Sequence, residues 1–152
     1  MLDRREEILK TLRATPVVLR VLVDGVEDAR LRHRPALGEW AIIEVVGHLA
    51  DTEERALGRV RRMLAEDEPE LEPFDQEALA EERHYLGMDV SRELARLEAF
   101  RRQHLVVLEG LDASGWERTG RHGQHGRMSV ELYEIHVAAE EVDHLAQIAR
   151  LL

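Results

Sequence analysis

The chain has 152 residues, 44% of them hydrophobic and 34% charged, with four prolines and ten glycines, which suits one domain over residues 1 to 152 and excludes a disordered or collagen-like chain. A formal net charge of -10 repels nucleic-acid backbones and anionic membrane surfaces alike, so neither is expected as a partner. There is no cysteine, which rules out disulfides, thiolate metal sites and a cysteine nucleophile, and leaves nitrogen and oxygen to hold any metal.

The opening "MLDRREEILK" lacks the apolar centre of a secretory signal, and no window approaches the roughly 20 apolar residues of a membrane span. A cytoplasmic protein is expected. From about Asp3 to Val23, Ile8, Leu9, Leu12, Val17, Leu19, Leu22 and Val23 repeat at helical spacing, and Pro16 is expected to kink or restart that first helix. The loop "LRHRPALGEW" leads into a second helix from about Glu39 to Glu66, whose apolar arc holds Ile42, Val45, Val46, Leu49, Ala56, Leu57 and Val60, with His48 at its edge beside Thr52. The acidic "AEDEPELEPFDQE" reads as a solvated connection, followed by a short helix near Gln76 to Tyr85. Ser91 can cap a third long helix carrying Leu94, Leu97, Phe100, Leu105, Val106 and Leu108, which "EGLDASGW" ends. The glycine-rich "TGRHGQHGRMS" reads as loop, and Ser129 as the cap of the last helix. Four long amphipathic segments with no convincing strand pattern predict an all-α four-helix bundle.

The last helix, "EIHVAAEEVDHLAQIARLL", carries His136, Glu140 and His144 at intervals of four. Residues four apart share a face, so either neighbouring pair could reach one ion. All three cannot, because His136 and His144 are separated by about 12 Å of helical rise while a metal–nitrogen bond is about 2 Å. Projection puts Glu140 and His144 at the margin of the apolar arc, in which Ile135, Val137, Ala138, Val142, Leu145, Ile148, Ala149 and Leu152 lie, and puts His136 further round. His48 occupies the equivalent margin of helix two. The resulting candidate is His48, Glu140 and His144: two imidazoles, one carboxylate and a vacant position for chemistry. Glu44 or Asp51, one turn to either side of His48, could orient its ring.

The chain also resembles the DinB-like superfamily, the DinB/YfiT-like metalloenzymes, through "RPALGEWAIIEVVGHLADTEERALGRVRRML" (34–64), "LDASGWERTG" (111–120) and "SVELYEIHVAAEEVDHLAQI" (129–148). The resemblance implies a four-helix bundle of that type, with Trp40 ahead of helix two, His48 as a metal ligand, and the positions of Glu140 and His144 as the other two ligands. It further implies a homodimer. Where the family most often has histidine this chain has Glu140, which either completes a triad of two histidines and one carboxylate or marks loss of the metal and the activity. Zinc or nickel is the expected ion, with iron and manganese also compatible with the donors.

Two functions are therefore carried forward. The first is a divalent-metal enzyme of the thiol-transferase or hydrolase type, acting on a small molecule and, as a transferase, using a low-molecular-weight thiol. In it, His136 or Asp51 would orient a ligand or move a proton. The second is a metal-free dimeric binding or structural protein. The loop holding His122 and His125 could cover the open end of the site, with Arg121 or Arg127 meeting an anionic substrate.

Overall fold

The computed structural model describes residues 3 to 152. In chain order it runs through helices α1 (Arg4–Val23), α2 (Asp28–Leu31) and α3 (Ile42–Ala65), strand β1 (Glu70–Leu71), helix α4 (Gln76–Glu82), a 3-10 turn (Tyr85–Gly87), helices α5 (Val90–Glu109) and α6 (Ala113–Trp116), strands β2 (Thr119–His122) and β3 (Gly126–Ser129), and helix α7 (Val130–Leu151). No described helix is long and apolar enough to cross a membrane.

The helix ends follow local chemistry, with three departures from the expected boundaries. Ser129 does cap α7, its hydroxyl accepting the Leu132 N–H at 3.1 Å. Helix α5, however, begins at Val90, because the Asp89 carboxylate accepts the Arg92 N–H at 2.8 Å and leaves Ser91 inside the first turn. Helix α3 begins at Ile42, three residues later than expected, where Glu44 reaches back to the Ala41 N–H at 3.1 Å. And α1 continues through Pro16. A proline has no N–H for the carbonyl four residues earlier, here that of Leu12. That carbonyl accepts instead from Arg101 Nη1 at 2.6 Å.

Helix α1 packs against α5 and α7, and α3 packs against the same two, so α1 and α3 sit diagonally. Arg13–Glu109 and Arg20–Glu98 pairs run α1 and α5 antiparallel, whereas Arg96–Glu54 and Arg61–Gln103 contacts run α3 and α5 parallel. Parallel neighbours that follow one another need a connection as long as the bundle. With 24 residues in α3 that is about 36 Å. This is what the acidic segment does, and it is more structured than a solvated loop. Leu71 in β1 is buried, and β1 pairs parallel to β2, which pairs antiparallel to β3.

The expectation of no strand fails for this small sheet. Its strands are two to four residues long and present little apolar side chain, Leu71 and Met128 being the buried ones. The sheet is seated through Gly120, where an added Cβ would lie 3.0 Å from the Met63 side chain and 3.2 Å from Leu71.

The core divides into two apolar parts. One gathers Leu19, Trp40, Val45, Leu49, Tyr85, Leu97 and Ile148; the other gathers Leu12, Ala56, Val60, Met63, Leu108, Trp116 and Tyr133. Between them lies a buried ionic layer from all four long helices. His104 is held between Glu53 Oε1 at 2.6 Å and Glu134 Oε1 at 2.7 Å. Arg101 bonds Glu53 at 2.6 Å, Glu141 and the Leu12 carbonyl. The two carboxylates hold the His104 imidazolium against the cost of burial and push its pKa up to about 10. Burial pushes Glu141 up to about 7 against the attraction of Arg101.

A histidine whose pKa is raised on folding contributes stability that is complete below its unfolded value of about 6.5 and is lost as pH rises through the folded value. Chemical denaturation should therefore show stability falling between pH 6.5 and about 10. His104→Gln should flatten that slope and cost about 3–5 kcal/mol at neutral pH, because two buried carboxylates lose their cation. A pH profile unchanged by the substitution would contradict a charged His104.

Candidate metal centre and the groove beside it

Helix α3 carries His48 into the interior, 4% exposed, against the Trp40 ring at 5.0 Å between centroids. Trp40 is fixed by its indole N–H to Glu77 at 3.2 Å. Across from α3, α7 brings up His144, its ring centre 4.8 Å from that of His48. Two imidazoles bound to one ion at about 2 Å have ring centres about 5 Å apart, so this pair has the spacing of a shared site.

The nitrogen chemistry of the pair also suits an ion. His48 Nδ1 is buried with no hydrogen-bond partner. Burial, and after it the neighbouring His144 and Arg55, lower the His48 pKa to about 4, so the ring is neutral and keeps a free lone pair at pH 7. His144 Nδ1 lies 2.9 Å from the Gln147 side-chain oxygen. With its proton donated there, Nε2 is left as the acceptor that a metal needs.

Glu140 and His144 line a cleft of about 650 Å³ together with Glu39, Trp40, Glu77 and Asp143. Glu140 is exposed on this cleft. Among the described residues no three histidine, aspartate or glutamate side chains are closed around one point. The structure thus brings the two histidines together and puts Glu140 with His144 on the cleft, without gathering the three around one point.

The residues expected to support His48 are otherwise engaged. Glu44 is bonded to Arg34 at 2.7 and 2.8 Å and caps α3. Asp51 accepts from Tyr85 Oη at 2.5 Å and from Arg83 and Arg96. Gln147 takes the orienting role at His144 instead. His136 itself stands 4.8 Å from His125 and 6.0 Å from His122, ring to ring, at the hairpin between β2 and β3. The loop arginines pair with Glu68, Arg127 at 2.7 Å and Arg121 at 3.5 Å.

Arg55 was missed by sequence reasoning. It lies seven positions after His48 and so returns to the same helix face. Val142, expected in the apolar arc of α7, is instead 50% exposed, since the α7 positions turned to the core include Glu134 and Glu141.

Comparison with known proteins gives consistent relatives. A candidate metal-dependent hydrolase of Geobacillus kaustophilus is 28% identical over 147 residues, covering 96% of this chain and 83% of that protein. A similarly named protein of Oceanobacillus iheyensis is 26% identical over 124 residues, covering 82% and 72%. The solved structure of YfiT from Bacillus subtilis, described as a probable metal-dependent hydrolase with an unusual four-helix bundle topology, superposes with a TM-score of 0.83 at 24% identity, covering 96% of this chain and 86% of that one. The family model of the DinB superfamily matches residues 11–148, and the chain belongs to that superfamily.

Proposed function

We propose that the protein is a divalent-metal-dependent enzyme of the hydrolase or thiol-transferase type, with the ion held by His48, His144 and Glu140. What carries the reading is the unpartnered, buried Nδ1 of a neutral His48 whose ring lies 4.8 Å from that of His144. A buried ring nitrogen with no protein partner is free to take one from outside the chain, and beside a second imidazole a metal ion suits it. The relatives' names, which call them metal-dependent, point the same way. Glu140, exposed on the same cleft as His144, would be the third ligand. An ion held there would act as a Lewis acid and make a thiol or a water nucleophilic near neutral pH.

The chain's own residues contribute in distinct ways. Gln147 fixes the tautomer and angle of His144 through its 2.9 Å contact. Trp40 backs the His48 ring and, with Leu49 and Tyr85, belongs to the apolar cluster that excludes water behind it. The cleft bordered by Glu39, Glu77 and Asp143 admits a small molecule. Zinc and nickel suit two imidazoles and a carboxylate; ferrous iron and manganese are the other ions to test.

Purified protein loaded with zinc, nickel, manganese or anaerobic ferrous iron should take up one ion per chain, measured by elemental analysis. His48→Ala and His144→Ala should each abolish uptake and leave the helical circular dichroism unchanged, whereas His136→Ala should keep it. No uptake of any of the four metals by the wild type would replace this reading with that of a metal-free binding protein.

Gln147→Leu should bind the ion about 10–100-fold more weakly with its geometry otherwise retained, the usual loss when an orienting partner of a ligand is removed. Competition with a chromogenic chelator measures it. Unchanged affinity would mean that the contact to His144 has no part in the site.

A further inference from the structure

We propose that the hairpin between β2 and β3 and the facing turn of α7 form a second metal site, in which His122, His125 and His136 take one copper(II) ion. It stands apart from the centre at His48 and His144. His136 precedes His144 by about 12 Å of helical rise, and the two sites share no residue.

The sequence and the turn together place two of the donors. In "HGQHG" (122–126) the histidines have two residues between them, an interval at which short turns supply a pair of metal ligands. His122 pairs with Gly126 at the end of the ladder, so Gly123, Gln124 and His125 make the turn. Gly126 closes it at φ +71°, a conformation that residues with a Cβ rarely adopt. The rings of His122 and His125 come to lie 4.8 Å apart. Strand β3 ends at Ser129, which caps α7, so the second turn of α7 follows directly and brings up His136. Its ring is 4.8 Å from that of His125 and 6.0 Å from that of His122.

Imidazoles bound to one ion have ring centres about 5 Å apart. Two of the three pairs meet that spacing, and the third exceeds it by about 1 Å. Among the described residues no three donors are closed around one point. The turn at Gly123 and Gln124 is exposed and is the part that can move to close the remaining gap when an ion binds.

The surroundings suit ligands better than structural histidines. His104 is tied by a carboxylate at each ring nitrogen. Among the described residues no carboxylate or carbonyl holds a ring nitrogen of His122, His125 or His136. The one contact is the Gln124 N–H, which donates to His122 Nδ1 at 3.2 Å, so that nitrogen has a lone pair and no proton. An ion takes the lone pair while the exposed amide turns to water. Burial, then Arg59, then the other two histidines lower the His122 pKa, which favours the neutral ring that a metal requires. Arg59 is itself bonded to the Glu72 carbonyl and to Tyr133 Oη, the latter at 3.5 Å.

Three neutral imidazoles without a carboxylate or thiolate select the divalent ion that binds nitrogen most tightly. Copper(II) exceeds nickel, zinc, ferrous iron and manganese on such donors. An open site at an exposed turn therefore retains copper(II) under washing that strips the other four.

The test uses the full chain carrying His48→Ala and His144→Ala, which removes the first centre, titrated with copper(II) chloride. One ion per chain should bind with Kd below about 1 μM, and its electron paramagnetic resonance spectrum should show splitting by imidazole nitrogens. Adding His125→Asn or His136→Asn should weaken binding by at least about tenfold. His125 is exposed, so its replacement should leave the helical circular dichroism unchanged. His33→Asn, at an exposed histidine outside the cluster, should leave the affinity unchanged. No saturable uptake up to about 100 μM copper(II), or an affinity that neither His125→Asn nor His136→Asn alters, overturns the site. Because the first centre is absent from the protein tested, neither result bears on the ion at His48 and His144.

Discussion

The ionic layer of Glu53, Arg101, His104, Glu134 and Glu141 is the constraint on which the rest depends. Apolar side chains would let the four helices slide or rotate by a residue at little cost. Buried charges would not, because each must find its partner or remain uncompensated in a medium that penalises it by several kcal/mol. His104 fixes α5 against α3 and α7 at once. Arg101 adds α1 through the carbonyl that Pro16 leaves free. The layer therefore sets register and rotation together, and a proline that ought to weaken α1 becomes part of the lock.

Fixing rotation is what creates the site. On α3, Glu53 turns into the core, and on α7, Glu141 does so. The about 100° between successive residues then carries His48 and His144 into contact at 4.8 Å. The charge of Glu141, pushed up to about 7 by burial, can change with modest pH.

Much of this was legible in the sequence, and the rest was hidden for identifiable reasons. The four long helices follow from apolar spacing alone. His48 and His144 came from their place at the margins of two apolar arcs, and the structure brings them together. The strands were hidden because "TGRHGQHGRMS" presents glycine and charge where a strand normally shows alternating apolar residues. The ionic layer was hidden because Glu and Arg at core spacing look like a solvated face. Yet Leu97, Arg101, His104 and Leu108 follow one another at intervals of four and three, the same spacing that identified the apolar residues. Asp89 outcompeted Ser91 as a cap because its carboxylate carries charge to the N-terminal end of a helix dipole. Arg55 shares a helix face with His48, a signal readable by the projection already used for the histidines. Its lack of a partner could come only from coordinates.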